Sequence, residues 1–133
     1  GDLVPEALEG AATDVLRALR EDAPSAALLV TGPTDRASRS RRASRLLAVN
    51  ESMVIGALRS ASRAAGGAFL DQRAVMGGDG SIKVWARKRL AARDLVHLTR
   101  AGYERLASEI VSRLLAACDA RVRLRPGGAP PPS

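Results

Sequence analysis

The chain has 133 residues, of which 46% are hydrophobic and 26% charged, a balance that suits one compact globular domain. Its net charge of +7 comes almost entirely from arginine, which favours anionic partners, although a compositional preference for arginine explains it more simply. The single cysteine excludes an internal disulfide, and no apolar run approaches the roughly 18 residues that cross a bilayer. Aromatic residues make up only 2% of the chain, so the core must be built from Ala, Leu and Val.

The first predicted elements are an amphipathic helix and a strand. The helix runs from Pro5 to Arg20, because proline suits a first helical turn and apolar residues then recur at helical spacing. These residues are Leu8, Ala12, Val15, Leu16 and Leu19. The run AALLVT over residues 26–31 is continuously apolar and ends at Gly32 and Pro33. This pattern is typical of a parallel strand covered on both faces, and it indicates the α/β class.

A second helix and a second strand follow. Residues 34–44 are polar and dense in arginine, which predicts a loop. Residues 46–65 then carry apolar side chains at helical spacing, and Gly66 and Gly67 end the helix. The next strand candidate is Ala68-Phe-Leu-Asp71.

The C-terminal third predicts a glycine-rich loop over residues 76–81, a short helix over 82–90 and one long helix that Thr99 caps. Apolar side chains line one face of the long helix, which predicts its burial. They are Tyr103, Leu106, Ala107, Ile110, Val111 and Leu114. Cys118 falls in the same Ala- and Leu-rich pattern, which favours a buried thiol. Residues 120–133 have no periodicity and are rich in Gly and Pro, so we expect a flexible tail.

This order gives a doubly wound α/β arrangement with only two strands. Two parallel strands do not make a stable sheet, because parallel sheets need helices on both faces and usually more strands. We therefore expect the segment to need additional sheet from upstream sequence, from a partner chain or from a self-swapped dimer.

The candidate catalytic residues are Asp94 and His97, which directly precede the last predicted helix. An aspartate three residues before a histidine can accept a hydrogen bond from one ring nitrogen and fix the tautomer. The other nitrogen is then free to act as a general base toward a nucleophile. His97 is the only histidine in the chain, although Asp-x-x-His is by itself a weak motif and a lone histidine at a helix start is often structural.

The residues around this pair strengthen the catalytic interpretation. Asp94-Leu-Val-His97-Leu-Thr-Arg-Ala-Gly-Tyr103 is preceded by Ala68-Phe-Leu-Asp71, Met76-Gly77-Gly78-Asp-Gly-Ser81 and Trp85. In this order the blocks resemble the end of the SGNH (GDSL-like) hydrolases, and Leu28-Leu-Val-Thr-Gly-Pro33 resembles the penultimate strand of that family. The resemblance covers roughly residues 3–117, and the joint pattern is more specific than any one motif.

The resemblance implies a flavodoxin-like three-layer α/β/α fold, of which this chain holds only the last parallel strands and helices. Residues 1–119 would form the C-terminal part of a single SGNH-type domain. Asp94 and His97 match the acid and base of a serine esterase, while Met76, Gly77 and Gly78 match a substrate-side loop. The blocks of that family that carry the serine and the other oxyanion donors are missing from this chain and belong upstream of Gly1. No metal or other cofactor is implied.

The serines of this chain do not replace the missing nucleophile. Gly78-Asp-Gly-Ser81 is a near match to Gly-Asp-Ser, but it does not follow a first strand. Ser81 is better interpreted as the N-cap of the short helix. Ser38, Ser40 and Ser44 lie among arginines without the geometry of a nucleophile elbow, so we expect ordinary loop residues.

The arginine-dense segment supports a different class of function. Clustered arginines can bind nucleic-acid phosphates or another polyanion. They are Arg36, Arg39, Arg41, Arg42 and Arg45. No aromatic residue interleaves them for base stacking, so nucleic-acid binding is disfavoured and a solvated loop is expected.

Two hypotheses result. In the first, the complete protein hydrolyses a small acyl ester or an acetylated carbohydrate, and this segment alone is inactive because its base has no nucleophile to deprotonate. In the second, the chain is a non-catalytic remnant or interaction module that assembles with another chain, with the arginine-rich segment as a contact.

Overall fold

The computed structural model describes residues 5–123, and the side chains of residues 5–120. It confirms the α/β class and the predicted order of the main elements, and adds one short helix. The elements are α1 (Pro5–Asp22), β1 (Leu29–Thr31), α2 (Arg41–Ala64), β2 (Ala68–Leu70), α3 (Gln72–Met76), α4 (Ser81–Arg87) and α5 (Arg100–Arg123). Helix α5 continues past residue 119, and residues 124–133 of the expected tail lie outside the described residues.

The two strands pair in parallel, with Leu29 opposite Ala68, Val30 opposite Phe69 and Thr31 opposite Leu70. The strand β1 is shorter than the apolar run that predicted it. Its side chains alternate between exposed and half-buried, so it is not covered on both faces within the described residues.

Two clusters of apolar side chains form the core. One joins α1, α2 and β1 around Leu16, Ala61 and Ala65. The other lies beneath α3, α4, α5 and the segment between α4 and α5. Its buried members are Ala37, Met76, Ile82, Trp85, Ala91, Leu98 and Leu106. This second cluster supports the segment that carries Asp94 and His97.

Helix capping corrects two of the sequence predictions. Helix α2 begins at Arg41 rather than near residue 46, because the Ser40 hydroxyl accepts a hydrogen bond from the Ala43 N–H at 3.4 Å. Asp71 is not part of a strand. It caps α3, where its Oδ1 accepts from the Ala74 N–H at 2.9 Å, and Gly77 ends that helix with a left-handed φ of 118°.

Helix α5 begins as predicted, because the Thr99 hydroxyl accepts a hydrogen bond from the Gly102 N–H at 3.2 Å. Its apolar face is only partly buried. Leu106 packs in the core, whereas Tyr103 is 57% exposed and Val111 and Leu114 are also exposed. The expectation of a buried thiol was wrong as well, since Cys118 lies on an exposed part of this helix.

Exposed apolar side chains also occur on other helices. Val15 and Leu19 on α1 are exposed, although Leu16 on the same predicted stripe is buried. On α2, Leu46 and Val49 are exposed. Within residues 5–123, none of the helices combines the length and the apolar character that a bilayer crossing requires.

Candidate active site

The segment between α4 and α5 forms a closed loop with buried ends. Ala91 and Leu98 form an isolated antiparallel bridge, and both side chains are buried in the core. Inside the bridge, the Ala92 N–H donates to the His97 carbonyl at 2.8 Å. The tip of the loop, residues 92–97, is therefore held at both ends, with Leu95 packed against the core and Asp94 and His97 exposed to solvent.

A further contact ties this tip to the segment that follows β1. The Ala37 N–H, in the segment after β1, donates to the Leu95 carbonyl at 2.9 Å. Leu95 has a left-handed φ of 61°, a conformation that is uncommon for a side chain of this size. Such strained backbone is retained where neighbouring contacts hold it, and it recurs at functional sites. The contact places the tip beside the chain that leaves the carboxyl end of β1, where open α/β sheets carry their sites.

The three-residue spacing of Asp94 and His97 produces a fixed pair. Asp94 Oδ1 accepts hydrogen bonds from the backbone N–H groups of Val96, at 3.0 Å, and His97, at 3.1 Å. Asp94 Oδ2 lies 2.7 Å from His97 Nδ1. Both carboxylate oxygens are thus occupied, and the imidazole ring is oriented through Nδ1.

The hydrogen bond from His97 lowers the pKa of Asp94 from its ordinary 3.8 to about 2, with help from the two backbone N–H groups. The carboxylate is therefore ionised at neutral pH. The folded chain favours the ionised form of Asp94, so the hydrogen bonds to its carboxylate stabilise the fold above pH 3.8. This stabilisation is lost as the pH falls toward about 2.

We predict that His97→Ala raises the pKa of Asp94 toward 3.8, because the largest cause of its depression is removed. The two backbone N–H groups keep part of the effect. A carbon-13 NMR titration of the Asp94 carboxyl measures this. Arg93→Gln is the matched control, because Arg93 makes no contact that lowers this pKa. An unchanged titration curve in His97→Ala would contradict the observed pair.

His97 is positioned to act as a base. Its side chain is 72% exposed, and Asp94 is 49% exposed. With Nδ1 donating to the carboxylate, Nε2 carries the lone pair, and within the described residues Nε2 has no hydrogen-bond partner. The pair can accept a proton from a nucleophile brought to Nε2 and can stabilise the imidazolium that results.

The described residues do not place a nucleophile at His97. The Ser81 hydroxyl is buried and lies 3.3 Å from Asp35 Oδ2, while Gly80, not Ser81, is the N-cap of α4. Ser40 caps α2, and the Ser44 hydroxyl donates to the Ser38 carbonyl at 2.8 Å. The prediction that Ser81 is the N-cap of the short helix was therefore wrong. Ser40 and Ser44 make hydrogen bonds that stabilise the start of α2.

The predicted substrate-side residues are divided between core and surface. The Met76 side chain is buried in the core, and its carbonyl accepts from Trp85 Nε1 at 3.0 Å. Gly77 is the left-handed C-cap of α3. Gly78 lines a concavity of about 850 Å³ between α2 and α3, which includes neither Asp94 nor His97. A contact of these three residues with substrate stays a prediction.

A buried charged cluster was missed by sequence reasoning. Asp35 is fully buried and accepts hydrogen bonds from Arg73 Nε at 3.3 Å and from the Ile82 N–H at 2.8 Å. Glu51 is 1% exposed and accepts from Arg36 Nε at 2.7 Å. Burial raises the pKa of Glu51, opposed by the hydrogen bond from Arg36. The cluster connects the segment after β1 with α2, α3 and α4.

One weak signal pointed to this cluster. Asp35 follows the carboxyl end of a predicted strand, where acidic side chains are often functional. Its partner Arg73 is 38 residues away in sequence, so no local pattern links the two. Within residues 5–123, no group of three or more His, Cys, Asp or Glu side chains is arranged to hold a metal ion.

Comparison with solved structures identifies one informative neighbour. The chain is similar to a peptidoglycan O-acetylesterase, with a TM-score of 0.73 and 22% sequence identity. The alignment covers 90% of this chain and 34% of that chain, so this chain spans about a third of the length of its neighbour. No protein-family model and no curated protein matches the sequence significantly. The chain thus shares the mixed α/β fold of the aligned third of that neighbour.

Proposed function

We propose that this chain supplies the aspartate and histidine of a serine ester hydrolase of the SGNH (GDSL-like) type. The observation that carries the proposal is the 2.7 Å contact between His97 Nδ1 and Asp94 Oδ2, on a loop with buried ends. The fold shared with part of an esterase supports it.

In this mechanism His97 Nε2 takes the proton of a serine hydroxyl as the hydroxyl oxygen attacks the ester carbonyl. Asp94 stabilises the imidazolium, which then donates its proton to the departing alcohol. A water molecule, activated by the same nitrogen, hydrolyses the acyl-enzyme and releases the acid. Hydrogen-bond donors stabilise the oxyanion in both steps.

The serine and the oxyanion donors are proposed to come from outside these 133 residues. The structural neighbour is about three times as long as the aligned region, which leaves room for them. They would be delivered by upstream sequence, by a partner chain or by self-association. The exposed apolar side chains of α1 and α5 and the two-stranded sheet provide surface for such an assembly.

The substrate class is a small acyl ester or an acetylated carbohydrate. The structural neighbour is a peptidoglycan O-acetylesterase, so an O-acetylated saccharide is the first substrate to test. No described residue group is arranged to hold a metal, and the proposed reaction requires none.

The test is reaction with a fluorophosphonate, which labels an activated serine, followed by intact mass spectrometry. We expect the 133-residue chain alone to take no label and to hydrolyse no acetyl ester. An assembly that adds the nucleophile should take one label per active site, and His97→Ala should prevent it. Robust turnover by the purified chain that survives His97→Ala would refute the proposed base.

A non-catalytic interaction module is the second candidate, favoured by the same exposed apolar surface. It predicts that the chain binds a partner but that the resulting complex takes no fluorophosphonate. Labelling of the complex decides between the two functions.

A further inference from the structure

A second concavity, of about 530 Å³, lies next to the candidate active site and is strongly basic. Its cationic lining residues are Arg36, Arg41, Arg45 and Lys83. Ala37, whose N–H holds the Leu95 carbonyl of the catalytic loop, also lines it. One residue, Ala37, therefore connects the lining of the basic concavity to the loop with Asp94 and His97.

The positive charge of this basic concavity is largely uncompensated. Its one acidic lining residue, Asp79, is already paired with Arg73 Nη2 at 2.8 Å. Within the described residues, Arg41, Arg45 and Lys83 have no ion-pair partner. An anion bound here would meet cations that are free to pair with it.

Arg36 is held in place for such a contact. The buried carboxylate of Glu51 binds its Nε at 2.7 Å, while the arginine side chain is 47% exposed. Its remaining guanidinium N–H groups keep their donor capacity, because only Nε is bonded to the carboxylate. An arginine anchored through Nε loses less rotamer entropy when it binds a ligand.

The start of α2 adds to the positive potential. Arg41 and Arg42 occupy its first turn, which contains no acidic residue. Cations at this end oppose the helix dipole, so a bound anion would relieve the repulsion.

We infer that this basic concavity binds the carboxylate groups of an acidic saccharide chain, so that the substrate of the adjoining site is an acyl ester on a polyanionic carbohydrate. This inference rests on the proposed esterase for its link to catalysis. Guanidinium groups pair well with carboxylates, and the aliphatic side chains of Ala48 and Val49 line the same space, where they can pack against sugar rings. No aromatic side chain lines it for base stacking, which disfavours nucleic acid.

Calorimetric titration of the 133-residue chain with hexagalacturonate tests the binding site. We expect Arg41→Gln/Arg45→Gln to weaken binding about tenfold, because two charge-assisted contacts are lost. Arg17→Gln/Arg113→Gln is the matched control: it removes the same charge from exposed positions on α1 and α5, and should change the affinity by less than about twofold. Maltohexaose, which has no carboxylate, should not bind. We also expect Lys83→Gln to weaken hexagalacturonate binding, which tests the site from α4 independently of the two arginines on α2.

Two outcomes would overturn the inference. An equal loss of hexagalacturonate affinity in both double variants would show that the ligand is attracted only by the overall positive charge of the chain. Tighter, Arg41- and Arg45-dependent binding of hexathymidylate would indicate a nucleic-acid surface instead. His97→Ala separates this inference from the proposed function, because it should leave hexagalacturonate binding unchanged. If saccharide binding persists in a complete assembly without esterase activity, the proposed function fails and the binding site stands.

Discussion

Gly102→Ala is expected to destabilise the chain by about 3 kcal/mol or more, because the new methyl group has no space. A Cβ atom at this position would lie 1.8 Å from the carbonyl oxygen of Leu90 and 3.2 Å from the Cβ of Leu98. The closest atom belongs to the backbone, so no side-chain rotation relieves the clash. Helix α5 and the loop that carries Asp94 and His97 would have to separate.

Urea denaturation followed by circular dichroism measures this effect, with Gly56→Ala as the matched control. Gly56 lies within α2, and a Cβ there would meet no atom within 4 Å. Alanine also has the higher helix propensity, so this variant should gain up to about 1 kcal/mol. If the free energy of unfolding of Gly102→Ala lies within about 0.5 kcal/mol of that of the unsubstituted chain, the close packing of α5 on the loop is incorrect.

The same contact explains why glycine stands three residues after the helix cap. The Leu90 carbonyl that approaches Gly102 also accepts a hydrogen bond from the Thr99 N–H at 3.0 Å. The Thr99 cap and the first turn of α5 therefore both approach the Leu90 carbonyl group. Only a residue without a side chain at position 102 allows this close approach. Gly102 thus supports the loop of Asp94 and His97 without taking part in chemistry.

Features set by neighbouring residues were predictable from the sequence. The Asp94 and His97 contact depends on three-residue spacing in a turn, and the Thr99 cap on a hydroxyl just before a helix. Both are local, so their geometry follows from a few adjacent dihedral angles. The long helices were recognisable from periodicity, and the first strand from a continuous apolar run, for the same reason.

Features set by distant contacts were not predictable. The buried pair of Asp35 and Arg73 spans 38 residues, and Ser81 turns toward Asp35 instead of capping its own helix. Helix α3 has five residues, too few to show a helical period. Periodicity also identifies the apolar face of α5 but not what covers it, which is why Tyr103 was wrongly expected to be buried.

Under the proposed function, the largest effect on catalysis is expected from His97→Ala in an assembly that joins this chain to a nucleophilic serine. We expect kcat for an acetyl ester to fall about 10⁴-fold, because no other described side chain at this site can take the serine proton. Asp94→Asn should lower kcat about 10²-fold with KM nearly unchanged, since an amide no longer favours the productive tautomer of the imidazole or stabilises the imidazolium. The smaller loss reflects the exposure of Asp94, where water partly replaces the carboxylate.

Steady-state kinetics of the two variants, with Glu104→Gln as control, measure these losses. Glu104→Gln makes the same change from carboxylate to amide at an exposed position on α5, where Glu104 pairs with Arg100. It should retain full activity, which separates loss of the Asp94 carboxylate from loss of one negative charge. The double variant of His97 and Asp94 should be no slower than His97→Ala alone, because Asp94 acts only through the imidazole. Additive losses would instead mean that Asp94 contacts the substrate itself, and the roles of the two residues would have to be reassigned.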